Sequence, residues 1–124
     1  MRDWTAEELD RIGAADELEI AALRPDGTLR PATTIWVVRV GDDLYVRSYR
    51  GRNGSWFRSV RQRPEGRIRA AGLTRDVAFQ EPDDADHPAI DHAYQTKYAR
   101  YGNSYVDPMV SPDATAATLR LIAR

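Results

Sequence analysis

Residues 45–59, which read YVRSYRGRNGSWFRS, concentrate the residue types that bind anions. Serines, glycines and aromatic rings stand here among four arginines, which are Arg47, Arg50, Arg52 and Arg58. We expect Ser48 near the end of a strand and a helix from about Trp56, so that the free N–H groups of the first helical turn face the same loop. The stretch predicts a phosphate site. The alternative is a solvated arginine-rich hairpin end, with Trp56 simply in the core.

A second basic and hydroxyl-bearing stretch, TLRPATTI, lies upstream. It places Arg30, Thr33 and Thr34 on a strand that we expect to pair with residues 44–49. In that pairing Thr34 and Ser48 would meet near one end of the ladder, and the polar groups of both stretches would converge on one rim. The alternative is that the two threonines serve only the β-propensity of their strand.

The charge of the chain is segregated along the sequence, although the net charge is only −1. Residues 24–75 contain twelve arginines, no lysine and four acids, a balance of +8; the remaining residues contain six basic and fifteen acidic side chains, a balance of −9. A basic middle between acidic ends favours a local anion site. It argues against a nucleic-acid partner, although arginines interleaved with aromatic rings also suit single strands.

Length and composition bound the remaining function classes. The 124 residues suit a single domain over residues 1–124. The chain has no cysteine, which excludes disulfides, thiolate metal sites and cysteine nucleophiles. Its apolar runs are too short for a signal peptide or a membrane span, so we expect a cytoplasmic protein without a membrane partner.

The other candidate motifs do not support a site. His87 and His92 lie among aspartates but lack the spacing of a metal motif, so no metal is predicted. The sequence contains no nucleophile elbow, P-loop or GxGxxG. We expect the tyrosines of the later helix, Tyr94, Tyr98 and Tyr101, to pack on the sheet. Lys97 lies one helical turn before Tyr101, and the two could instead reach a substrate or donate a proton.

The elements that must position these residues follow from local signals. A capping box at Thr5–Glu8 predicts a helix over residues 6–14. Strands are predicted over residues 17–23, 29–40, 44–49, 67–71, 77–80 and 118–122. Further helices are predicted over residues 56–62, capped by Ser55, and from about 86 to 102, with a short helical turn at 111–113. Short strands joined by tight turns favour a small antiparallel barrel with helices at its ends.

Three stretches of the chain resemble a known family: DGTLRPATTIWVVRVGDDLYVRSYRGRNGSWFRSV, DHAYQTKYARY and ATLRLIAR. They are similar to an uncharacterised bacterial family of the flavin-binding split-barrel superfamily. Its relatives include deazaflavin-dependent nitroreductases and pyridoxine phosphate oxidases. The resemblance implies a mainly β fold with some α-helix: a six-stranded antiparallel split barrel with short flanking helices. It also implies a homodimer with the cofactor at the subunit interface.

The resemblance further implies which residues contact the cofactor. Matched by position, they are Arg30, Thr33, Thr34, Ser48, Arg50, Gly51 and Trp56. The stretch before Trp56 lacks the proline of the deazaflavin enzymes, so FMN and deazaflavin both stay open as the cofactor. The resulting hypothesis is an FMN- or deazaflavin-binding oxidoreductase with a small-molecule substrate. The alternative is a non-catalytic module that binds an anionic metabolite or cofactor on the same barrel.

Overall fold

A computed structural model of the chain describes residues 4–124, in which one seven-stranded antiparallel sheet curls into a half-barrel with flanking helices. The strands are β1 (Leu18–Ala22), β2 (Thr33–Ile35), β3 (Val38–Val40), β4 (Asp43–Arg47), β5 (Glu65–Ala70), β6 (Leu73–Gln80) and β7 (Thr118–Ala123). Their order across the sheet is β2-β1-β5-β6-β7-β4-β3. The predicted mainly β, antiparallel class is therefore confirmed, whereas the predicted number of six strands is wrong by one.

The additional strand arises because the predicted strand over residues 29–40 is interrupted at Trp36 and Val37. Its first part, β2, lies at one edge of the sheet and pairs with β1, with Thr33 opposite Ile20. Its second part, β3, lies at the other edge and pairs with β4, with Val38 opposite Tyr45. Only two residues join the two edges, so the sheet must curl until its edges are neighbours.

This interruption also corrects the predicted pairing of the two threonines. Thr33 and Thr34 do not pair with the strand that ends in Arg47, because only Val38–Val40 forms that ladder. Thr34 instead lies opposite Glu19 of β1. The predicted convergence of Thr34 and Ser48 at one end of a shared ladder is therefore wrong.

Four helices lie where helices were predicted, although the one expected to reach residue 102 ends at Lys97; the short helix over Asn103–Val106 was not predicted. The helices are α1 (Ala6–Ala14), α2 (Ser55–Gln62), α3 (His87–Lys97), α4 (Asn103–Val106) and α5 (Pro112–Ala116). The capping box is present: the Thr5 hydroxyl accepts from the Glu8 backbone N–H, and the Glu8 carboxylate accepts from that of Thr5. Ser55 is not a cap but the first residue of α2, whose N-cap is Gly54.

Two apolar clusters lie on opposite sides of the strands near β4. The larger cluster fills the concave side of the sheet and is covered by α1 and α2, with Leu44 and Val46 contributed by β4. The smaller cluster lies under α3 and α4 and includes Tyr45 from the other face of β4. Because both faces of β4 are covered, the whole strand is buried except at its first residue. None of the helices within residues 4–124 is both long and apolar enough to span a bilayer.

Candidate functional site

A groove of about 260 Å³ lies between α2, β2 and the hairpin loop that precedes β2. Its apolar wall is formed by Ile20, Ala22 and Val60. The groups in it that can contact a ligand through hydrogen bonds or an aromatic face are Arg30, Thr33, Ser55, Trp56 and Ser59. We call it the Arg30 groove. Its lining combines one cation, three hydroxyls and one large ring.

Arg30 is fixed beside this groove by its own backbone, because its N–H donates to the carbonyl of Ala22 over 2.8 Å. One terminal nitrogen of its guanidinium lies 3.5 Å from the side-chain oxygen of Gln62. The Nε atom is buried and has no hydrogen-bond partner among residues 4–124. An unsatisfied buried donor costs about 1–3 kcal/mol, so an anion in the groove that accepted from it would be favoured.

The first turn of α2 adds a second source of positive potential. Gly54 caps the helix without a side-chain hydrogen bond. The first backbone N–H groups of a helix have no acceptor within it, and the helix dipole places partial positive charge there. Ser55 and Trp56 carry two of these groups and also line the groove.

Three of the residues implied by the resemblance come together in the Arg30 groove: Arg30, Thr33 and Trp56. Thr34, the next residue along β2, lies in a different groove beside Glu19 and Arg69. Successive side chains of a strand point to opposite faces, which explains the separation. The cofactor role of the implied set stays a prediction.

Ser48 and Gly51 build the loop that leads into α2. The Ser48 backbone N–H donates to Ala117 over 3.1 Å, and its carbonyl accepts from Gly51 over 2.9 Å. Gly51 is buried with a φ of +73° and backs onto Asp113, a combination that favours glycine. A Cβ on Gly54 would lie 2.5 Å from the Ser48 hydroxyl oxygen. Neither Ser48 nor Gly51 lines the Arg30 groove.

Arg50 is exposed and turned toward its neighbour. Its Nε donates to the Tyr49 hydroxyl over 3.1 Å, and the guanidinium carbon lies 5.6 Å from the centre of the Tyr49 ring. Arg50 does not line the Arg30 groove. The arginines of residues 45–59 therefore lie in different environments.

Comparison with protein families identifies the chain. Residues 8–121 match the model of a family described as an uncharacterized protein conserved in bacteria (DUF2255). The chain belongs to the DUF2255 family. A search of curated protein sequences finds no match to this DUF2255 protein.

Solved structures share the fold of the DUF2255 protein at low sequence identity. The heme storage protein HutZ from Vibrio cholerae has a TM-score of 0.64 at 14% identity, covering 100% of this chain and 92% of that one. An FAD-binding protein from Mesorhizobium loti has a TM-score of 0.58 at 17% identity, covering 99% and 92%. A putative pyridoxamine 5'-phosphate oxidase from Listeria innocua has a TM-score of 0.63 at 12% identity, covering 95% and 91%. These matches confirm the predicted split-barrel fold, and the family match confirms the predicted uncharacterised bacterial family.

The sequence did not reveal that Arg47 of the DUF2255 protein is buried. Its Nε donates to the Thr118 hydroxyl over 2.9 Å, and its terminal nitrogens donate to the Asp91 carboxylate and to Nδ1 of His87. The guanidinium also lies over the ring of Tyr94. Arg47 joins β4 to α3 as a structural cation rather than forming part of a surface anion site. The available signal was its spacing of two from buried Tyr45, which places both on one face of the strand.

Two serines of the groove also went unassigned. Ser55 was predicted only as a cap, and Ser59 was not singled out at all. The two lie four residues apart on α2 and therefore share one face of the helix. The Ser59 hydroxyl donates to the Ser55 carbonyl over 3.1 Å.

Proposed function

We propose that the DUF2255 protein binds a flavin-type cofactor, FMN or a deazaflavin, with its phosphate in the Arg30 groove, and acts as an oxidoreductase on a small molecule. The observation that carries the proposal is the convergence of Arg30, three hydroxyl groups and the first turn of α2 on one groove. A phosphate monoester has about −1.5 to −2 charges near neutral pH and accepts from several donors at once. Each hydrogen bond to it from a charged group contributes roughly 1.5–3 kcal/mol.

Each lining group has a distinct role in this proposal. The Arg30 guanidinium neutralises the phosphate, and the hydroxyls of Thr33 and Ser55 donate to its oxygens. The Trp56 ring, half-buried against the larger apolar cluster, shields the rest of the ligand from water. The flavin itself supplies the two-electron chemistry when bound. The protein binds, orients and excludes water.

The size of the groove suits one end of the cofactor rather than the whole molecule. Its 260 Å³ falls below the roughly 300–1,000 Å³ typical of pockets that enclose a whole ligand. The groove therefore suits the phosphate end of the cofactor, and the ring system would extend beyond it. A homodimer, implied by the resemblance, would cover the ring from the second subunit.

The ligands of the structural relatives agree with a cofactor role. One of them is called an FAD-binding protein, one a heme storage protein and one a putative pyridoxamine 5'-phosphate oxidase. In line with these names, we propose for the DUF2255 protein a planar anionic cofactor and, within that class, a flavin.

A non-catalytic binding module is the second candidate, and the groove lining favours it in one respect. Among residues 4–124, those that line the groove include no carboxylate, histidine, lysine or tyrosine. Proton transfer during a reaction would therefore depend on the cofactor or the substrate. A protein that only stores or carries its ligand would need no such group.

Fluorescence titration tests the proposal. FMN and a deazaflavin are each titrated with the purified protein, and the quenching of their emission gives the affinity. Saturable binding of either one supports the proposal, and absence of saturation with both refutes it. Anaerobic reduction of the bound cofactor by NADH or NADPH, followed by reoxidation with quinone or nitro compounds, separates an oxidoreductase from a storage module.

A further inference from the structure

A second groove lies between the end of α1, β3 and α3. It measures about 450 Å³ and is largely apolar, with Gly13, Val38, Val40, Ala89 and Ala93 among its lining residues. Lys97, the only lysine of the chain, also lines it. We call it the Lys97 groove. It shares no lining residue with the Arg30 groove, so a substitution in one lining leaves the residues of the other unchanged.

The Lys97 amine has an unusual environment for a lysine. Its Nζ donates to the Val37 carbonyl over 2.7 Å and lies 5.1 Å from the centre of the Tyr98 ring. Within residues 4–124 it forms no salt bridge with a carboxylate. The side chain is half-buried. The amine is therefore held in place, partly dehydrated and without a counter-ion.

The charged neighbours act on this amine in opposite directions. The pKa of Lys97 is lowered to about 8, mainly by burial; the Asp16 carboxylate opposes this shift, and the Arg100 guanidinium adds to it. Asp16 is itself paired with Arg100 and accepts from the Tyr101 hydroxyl. The remaining polar groups of the groove are Arg39, which is paired with Asp10, and the neighbouring side chains of His92 and Thr96.

We propose that the Lys97 groove is a site for small apolar aldehydes or ketones, which Lys97 captures as a reversible imine. The neutral amine adds its lone pair to the carbonyl carbon and forms a C–N bond. The carbonyl oxygen then leaves as water, taking up two protons, and both N–H hydrogens of the amine are released overall. No oxidant or reductant is consumed. A lysine desolvated in an apolar pocket is a recognised form of activated amine nucleophile.

The presence of one lysine makes a competition experiment direct. The variant Arg61→Lys introduces a second lysine on the exposed surface of α2, away from the groove. This variant is treated with benzaldehyde and cyanoborohydride at pH 7.5, and peptide mass spectrometry compares the two sites. At that pH about a quarter of amines with a pKa near 8 are neutral, against roughly a thousandth of ordinary lysine amines. We expect Lys97 to incorporate at least about tenfold more label than the introduced lysine. Equal or slower labelling of Lys97 would overturn the proposal.

Two further arms test the groove separately from the reactivity of the amine. Ala89 lines the groove but is exposed, so Ala89→Phe fills the groove at little risk to folding, which a thermal melt checks. We expect this change to reduce labelling of Lys97 several-fold and leave the introduced lysine unaffected. Glycolaldehyde, which is polar, replaces benzaldehyde in the second arm and should lower the preference for Lys97. The quantity compared is the ratio of label on Lys97 to label on the introduced lysine. If neither Ala89→Phe nor glycolaldehyde changes this ratio, the groove does not bind the carbonyl compound and the proposal fails.

Discussion

The Tyr98 hydroxyl is hydrogen-bonded to both the N–H and the carbonyl of Val37, one of the two residues that interrupt the predicted long strand. The Val37 backbone N–H donates to this hydroxyl over 3.1 Å, and the Asp16 and Val37 carbonyls lie 2.6 and 2.9 Å from it. Trp36 stacks on the Tyr98 ring with the centres 3.8 Å apart. Val37, one of the two residues that interrupt the predicted long strand, is therefore stabilised by the side chain of Tyr98, the residue that follows α3.

Replacing this hydroxyl should destabilise the fold, and a neighbouring tyrosine provides the control. Tyr98→Phe leaves the buried N–H of Val37 without its acceptor and should cost about 1–3 kcal/mol. Tyr94 is equally buried, but its hydroxyl has no partner among residues 4–124, so Tyr94→Phe should change stability by less than about 0.5 kcal/mol or increase it. Urea unfolding measures both. Equal losses of stability in Tyr98→Phe and Tyr94→Phe would contradict the stabilising role of the Tyr98 hydroxyl at Val37.

Arg47 provides a second stability test, because it is a buried cation with several partners. Arg47→Met leaves Asp91 and His87 without their donor and should destabilise the protein by about 3 kcal/mol or more. The matched control is Arg67→Met, since Arg67 is exposed and pairs with Asp76 over 2.8 Å. An exposed pair contributes about 0–1 kcal/mol. A loss at Arg47 as small as that at Arg67 would show that the buried network does not stabilise the fold.

The loop before α2 predicts coupling between Ser48 and Gly54. Gly54→Ala would bring a methyl group against the Ser48 hydroxyl, although the Gly54 backbone, with φ of −59°, suits any residue. We expect Gly54→Ala to cost about 1–3 kcal/mol and Ser48→Ala to recover part of that loss in the double variant. Thermal unfolding of the four proteins measures the coupling. Strictly additive losses would show that the contact is not responsible.

The pH dependence of stability provides a test of the Lys97 environment. Burial lowers the pKa of Lys97 to about 8 from 10.5 in an unfolded chain. Between these values the unfolded chain binds more protons than the folded one, so the free energy of unfolding due to this group rises with pH. Below the lower value the amine is charged in both states and the burial penalty is fully present.

We therefore expect the wild type to gain stability relative to Lys97→Met as the pH rises from about 7 to about 10. The gain should be on the order of 1 kcal/mol, because solvent screens the exposed part of the side chain. Denaturant unfolding at both pH values measures the difference between the two proteins, in which the titration of tyrosines cancels. A difference that stays constant or narrows with pH would show that Lys97 is not dehydrated.

The fold was predictable wherever a local signal determined the structure. The capping box at Thr5 fixed the start of α1, and the turn near Gly72 separated β5 from β6 as expected. The break at Val37 could not be predicted, because the side chain that stabilises it lies 61 residues away in sequence. The burial of Arg47 depends likewise on Asp91 and Thr118, which are 44 and 71 residues away.

The candidate site was predictable in part for the same reason. Arg30, Thr33 and Trp56 carried the expected chemistry, and the structure places them in one groove. Thr34 is separated from them by the alternation of strand side chains, which depends on a pairing that the sequence did not reveal. The position of Ser59 beside Ser55 could have been predicted from helical spacing alone, since it lies one turn after Ser55.

The affinity for FMN of three single variants tests the central claim most directly. Arg30→Gln removes the unpartnered donor of the groove. Arg67→Gln is the exposed control, on β5, which is separated from β2 by β1. Arg50→Gln tests whether the other residues implied by the resemblance belong to the same site. We expect fluorescence titration to show binding weakened about tenfold or more by Arg30→Gln and unchanged by Arg67→Gln. Saturable FMN binding with the same affinity in the wild type and in Arg30→Gln would contradict the claim that this groove holds the phosphate.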